Sequence, residues 1–149
     1  MIQWREEITI DENIEKIWDL FRDINIKRIM PKVEDHKLIE KEEHEIGAKH
    51  RQTYREGKRL ETYIVETLAY EDEVERKKKQ IRFVIGKAFE VNLTFTLLKM
   101  GETQTKFIYK GHNKGVNFVG RAMLKLASSK SNNAVVQEFM ERVTEEALK

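Results

Sequence analysis

The chain contains no cysteine, which excludes a disulfide framework, thiolate zinc sites and cysteine nucleophiles together. No segment approaches the roughly 18 consecutive apolar residues of a membrane-spanning helix. The opening Met1-Ile2-Gln3-Trp4-Arg5-Glu6-Glu7 has neither the basic lead nor the apolar run of a signal peptide. A cytoplasmic location without stable membrane insertion is therefore expected. Charge of one sign is also lacking: 28 Lys and Arg lie intermixed with 26 Asp and Glu, so no long-range field selects a nucleic acid. Glycine-rich phosphate loops are missing, because Gly111, Gly115 and Gly120 fit neither a dinucleotide fingerprint nor a P-loop. The histidines His36, His44, His50 and His112 show no metal-ligand spacing. Neither metal nor cofactor is expected.

What is present is a foldable, highly charged chain of 149 residues, 40% hydrophobic and 36% charged, long enough to bury roughly two-thirds of its unfolded surface. Ile2, Trp4, Ile8 and Ile10 alternate with polar residues, the pattern of a half-buried strand. Asp11 then offers an N-cap oxygen to a helix whose stripe is Ile14, Ile17, Trp18 and Phe21. A second short helix covers Ile24 to Ile29 and ends at Met30-Pro31, since a residue before proline leaves the helical region. Six alternating segments follow: Val33 to Lys41, Ala48 to Arg55, Leu60 to Tyr70, Lys79 to Ile85, Phe89 to Leu98 and Thr103 to Lys110. The short breaks between them predict antiparallel hairpins. Beyond Gly115 the period becomes helical. If continuous from about Phe118 the helix is on the order of 45 Å long, with Ala122, Leu126, Ser129, Asn133, Val136, Met140, Val143 and Ala147 on one face; the poor helix formers from Ser128 to Asn133 equally allow a weakened or kinked helix there.

These elements make an α+β domain in which a curved seven-stranded antiparallel sheet wraps a long C-terminal helix, with two short helices after the first strand. In element order the chain resembles the START-like, helix-grip (SRPBCC) superfamily of birch-pollen-allergen-like proteins, polyketide cyclase/dehydrase relatives and lipid-transfer domains. The residues carrying the resemblance are Ile8-Thr9-Ile10, the run Asp11 to Asp23, and Met30-Pro31-Lys32-Val33. Family members often have tryptophan where this chain has Met30. The resemblance implies a single START-like domain over residues 1–149 and a cavity between sheet and helix that holds a small hydrophobic or amphipathic molecule.

Candidate cavity residues follow from phase. On Ala48 to Arg55 the cations Lys49, Arg51 and Arg55 share one face, which leaves His50, Gln52 and Tyr54 on the other. Phe95, Phe107 and Tyr109 share the inward phase of their strands, Phe83 falls in the same class, and Met123, Ser129 and Asn133 belong to the final helix. The two faces of Leu60 to Tyr70 cannot be separated, so Glu61, Tyr63 and Glu66 stay open between cavity and surface. The cluster Glu71 to Lys79 reads as a solvated, self-paired hairpin tip. Three functions remain open: carriage of a small hydrophobic or amphipathic molecule; a cyclase or dehydratase in which His50 or a buried Glu66 moves a proton; and a non-catalytic interaction module, a homodimer included, marked by an exposed apolar patch.

Overall fold

The computed structural model describes residues 1–127 and 129–149, Ser129 by its backbone alone. Seven strands, β1 (Ile2–Ile10), β2 (Val33–Glu40), β3 (Lys49–Glu56), β4 (Arg59–Asp72), β5 (Arg76–Ile85), β6 (Phe89–Gly101) and β7 (Gln104–Gly115), form one antiparallel sheet in the order β1-β7-β6-β5-β4-β3-β2. Consecutive strands from β2 to β7 are hairpin neighbours, and β1 closes the row beside β7. The tight turns come from residues that accept a left-handed backbone: Gly86 and Lys87 both have positive φ between β5 and β6.

Between β1 and β2 lie α1 (Ile14–Asp19), a 3-10 turn (Asp23–Asn25) and α2 (Ile26–Ile29). The N-cap of α1 is Asn13, not the expected Asp11; its side chain accepts from the Glu15 amide at 2.9 Å. Ile14, Ile17, Phe21, Ile26 and Ile29 are buried on the inner face of the sheet beside Phe95, Leu97 and Phe107. On β7 the absence of a side chain at Gly111 lets the Trp4 ring lie on the strand, where a Cβ would fall 2.5 Å from Trp4 Cζ2.

The expected continuous final helix is two helices, α3 (Phe118–Leu126) and α4 (Ser129–Ala147). Ala127 ends α3 with an extended backbone, ψ 141°. Only the later part of α4 grips the sheet, through Val136, Met140, Val143 and Ala147. The outer face is drier than simple alternation predicts. Thr94 and Thr96 are buried there, with Lys78, Gln80 and Lys110 opposite them in register, long stems that cover a sheet surface.

Strand β5 begins three residues before its expected start, and its inward phase runs Lys77, Lys79, Ile81, Phe83. The hairpin tip is therefore not simply solvated. Arg76 pairs with Glu71 at 3.0 Å, but Lys77 is 1% exposed, its ammonium 2.5 Å from Asp72 and 2.6 Å from Glu15 of α1, with the Trp18 ring 6.0 Å away. Burial pulls the Lys77 ammonium down, and the two carboxylates together hold its pKa above the ordinary lysine value.

Candidate functional site

Strands β2 and β3 bring two histidines together. His36 lies opposite Gln52 and Leu38 opposite His50, so the two imidazoles are diagonal neighbours on the inner face and stack with centroids 4.6 Å apart and planes 14° apart. Asp23, at the start of the 3-10 turn, accepts from both: Oδ1 lies 3.1 Å from His36 Nε2, and Oδ2 lies 2.9 Å from His50 Nε2. Behind them His36 Nδ1 is 2.8 Å from Gln52 Oε1, and Gln52 Nε2 donates to the Tyr63 hydroxyl at 2.8 Å. Tyr63 stacks on Phe83. A continuous polar chain thus runs from half-exposed Asp23 to a buried tyrosine. The two histidine hydrogen bonds hold the Asp23 carboxyl well below the usual carboxylate range despite partial burial. Burial pushes the Tyr63 phenol up to about 12, against the opposing Gln52 contact.

Lys79 joins this cluster from β5, on the inner face opposite Tyr70 and Phe95. Burial holds its ammonium below the ordinary lysine range, although Asp23 and Glu45 pull the other way. In front of Asp23 and Lys79 opens a hollow of about 340 Å³ walled by Trp18, Phe21 and Tyr70, with the Trp18 and Tyr70 rings 5.6 Å apart. Behind lies a small space of about 20 Å³ between His36, His50, Gln52, Lys79 and Phe95, enough for one water. The hollow offers aromatic walls, the carboxylates of Asp23 and Glu45, the Lys79 amine and the Arg22 guanidinium. Asp23, His36 and His50 also present three ligand atoms within 4.8 Å of one another, the donor set of a two-histidine, one-carboxylate cation site. The adjacent Lys79 ammonium opposes a cation there. The expectation of no metal rested on sequence spacing, and the fold assembles this set from segments that spacing does not connect.

The expected cavity residues separate. His50 and Gln52 point inward and belong to the cluster. Phe95, Phe107 and Tyr109 line the inner face, but the space in front of them is filled: Phe139 of α4 lies 4.7 Å from Tyr109, 5.7 Å from Phe95 and 6.3 Å from Phe107, ring centre to ring centre. Phe21 closes on Phe95 from the other side at 5.1 Å. Phe83 is buried under Tyr63. Tyr54 is half-buried between two shallow surface hollows of about 170 and 310 Å³.

Met123 and Asn133 are corrections: both are exposed, because the chain breaks after α3 and α4 reaches the sheet only from Val136 onward. The Ser129 side chain lies outside the described residues. The faces of β4 are now fixed, with Tyr63, Val65 and Thr67 inside. Glu66 is on the outer face opposite Lys49 and Arg82, away from the cluster. Sequence reasoning missed Asp23, His36, Lys79, Trp18 and Tyr70 as one site. The signal for Lys79 was there: stepping back by twos from Phe83 and Ile81 places it inside.

No family profile and no curated protein matches the sequence. Solved structures do match in fold. The Zhui aromatase/cyclase from Streptomyces sp. R1128 superposes with TM-score 0.68 at 11% identity, over 95% of this chain and 92% of that one. Ara h 8.0201 gives TM-score 0.64 at 16% identity over 98% and 97%. Norcoclaurine synthase from Thalictrum flavum, solved with dopamine and hydroxybenzaldehyde, gives 0.60 at 13% over 96% and 86%. These likenesses show that the chain has the helix-grip fold of the START-like proteins.

Proposed function

We propose that this helix-grip chain binds a small amphipathic molecule in the hollow at α1 and the 3-10 turn, its apolar part against Trp18, Phe21 and Tyr70 and its polar group between Asp23 and Lys79. The observation that carries the reading is the 340 Å³ hollow itself, whose aromatic walls and charged groups come from separate segments. Its volume falls within the roughly 300–1,000 Å³ usual for small-molecule sites. Asp23 is fixed by two histidines that are themselves packed ring on ring, so the polar floor is preorganised. The neighbours in fold include a protein solved with two small aromatic molecules and an aromatase/cyclase. The reading places the ligand at the mouth of the sheet, because Phe139 and its ring partners occupy the interior.

Thermal shift and native mass spectrometry against fatty acids, sterols and hydroxylated aromatics test it. The expected result is a shift with one class, weakened in Trp18→Ala and Asp23→Asn and retained in Arg51→Gln on the outer face. A panel without any shift, or a shift indifferent to Trp18→Ala and Asp23→Asn, overturns it.

A second reading, proton transfer of cyclase or dehydratase type, has the Asp23–His50 pair in its favour. His50 is oriented by a carboxylate at 2.9 Å, the arrangement of a general base and its orienting partner. The alternative acid, Glu66, is on the other side of the sheet. Turnover of a bound polyketide-like aromatic, abolished in His50→Gln with binding retained, distinguishes enzyme from carrier.

A further inference from the structure

Helix α3 wears its amphipathicity inside out. Phe118, Val119, Ala122, Met123 and Leu126 occupy one arc of about 140° at roughly 100° per residue, and every one of them is exposed, Phe118 to 80% and Leu126 to 88%. The opposite side is the seated one. Gly120 is buried against Ala88, where a Cβ would fall 2.1 Å from the carbonyl oxygen, and at Gly115 a Cβ would fall 2.4 Å from the Arg121 amide nitrogen. Asn117 fixes the start of the helix, accepting from the Gly120 amide at 2.8 Å while its own amide donates to the Lys87 carbonyl at 2.9 Å. The helix cannot roll its apolar arc inward without breaking these contacts.

The sequence around this helix is one-sided in charge, although β6 sets Glu90 opposite Lys114. From Thr103 to Gln137 the chain has no Asp or Glu and six cations, Lys106, Lys110, Lys114, Arg121, Lys125 and Lys130, in a protein whose totals nearly balance. Arg121 and Lys125 sit on α3 beside the apolar arc, both exposed. A nucleic acid would use the cations and leave the apolar arc wet. A second copy of this chain would use the arc and bring the Arg121 and Lys125 of each copy to one interface with no acid on either α3. An anionic bilayer surface uses both, apolar side chains entering the headgroup region and basic ones pairing with lipid phosphates.

We propose that α3 is an interfacial helix that seats the protein reversibly on anionic membranes, with Phe118, Val119, Met123 and Leu126 as the inserted residues and Arg121 and Lys125 as the headgroup contacts. The helix is nine residues long and lies along the surface; it does not span. This is independent of what the hollow at Asp23 binds.

The test is co-sedimentation of the full chain with vesicles of phosphatidylcholine alone and of equal parts phosphatidylcholine and phosphatidylglycerol, at low and high salt. The expected result is binding to the anionic vesicles only, reduced by salt, and about tenfold weaker in both the Phe118→Ser/Leu126→Ser and the Arg121→Gln/Lys125→Gln variants. Both variants should unfold at the temperature of the unmodified protein, since all four side chains are exposed. No binding to anionic vesicles overturns the proposal, as does equal binding to neutral ones or binding indifferent to both variants. A concentration-dependent dimer in sedimentation velocity that Phe118→Ser/Leu126→Ser abolishes also overturns it, because the arc then belongs to a second copy.

Discussion

Gly120 and the Ala88 carbonyl are in direct backbone contact, closer than any side chain at position 120 would allow. Gly120→Ala must therefore lift α3 off the end of β7 or displace the turn that carries Ala88. The expected cost is about 1–3 kcal/mol by urea unfolding, the scale of an overpacked core position. Gly101→Ala, where an added Cβ meets nothing within 4 Å, is the matched control and should be near neutral.

Phe139 is the plug of the interior. Phe139→Ala removes the ring that packs on Phe95, Phe107 and Tyr109, at an expected cost of about 2–4 kcal/mol. The cavity left is apolar, and the variant should gain affinity for a small apolar fluorophore that the unmodified chain does not bind. A loss of stability without that gain would mean that the rings collapse into the space.

Asp23 links the site to acid stability. Its folded pKa is lowered by the two histidine hydrogen bonds, so its contribution is fully present above the unfolded aspartate value of about 3.9 and is lost as pH falls through the lowered folded value. Asp23→Asn should cost about 1 kcal/mol at neutral pH, modest because the carboxylate is nearly half exposed and screened. The difference from the unmodified protein should shrink below about pH 4 in pH-dependent urea melts.

Lys79 has the opposite sense. Its ammonium is disfavoured in the fold, so stability rises with pH between the lowered folded value and the unfolded lysine value of about 10.4. Lys79→Met should stabilise the protein by on the order of 1 kcal/mol at neutral pH, an advantage that fades as pH climbs toward that value. If the proposed ligand group is anionic, the same variant loses affinity while gaining stability, which isothermal titration separates from a folding defect.

The strands and the order of elements were legible because each depends on local alternation ended by turn residues such as Gly57 and Gly86. The site was not, for reasons that are local too. β2 shifts register between Val33 and Asp35, and β4 between Thr67 and Ala69. Each irregularity reverses which parity faces inward. His36 thus shares the inner face with Val33, three residues away, and Tyr70 shares it with Thr67. The faces of β4 were blurred further by Leu60 and Ile64, apolar residues that lie exposed on the outer face. Lys77 and Lys79 were hidden by their own charge, since burying them depends on Glu15, Asp23 and Asp72, two of which lie far off in sequence. The break after α3 has no glycine or proline to mark it, but the run Ser128 to Asn133, mediocre helix formers apart from Lys130, did announce a weakened or kinked helix.

The placement of β1 beside β7 sets an order on the birth of the fold. Every other strand pairs with its successor, so β2 through β7 can zip up as a meander while the chain lengthens. β1 finds its partner about a hundred residues later, Ile10 against Thr105 and Ile2 against Asn113. That distant pairing raises the contact order of the sheet. Until it closes, Trp4, Ile8 and Ile10 have no sheet to lie on, and the first strand made is the last one sheltered.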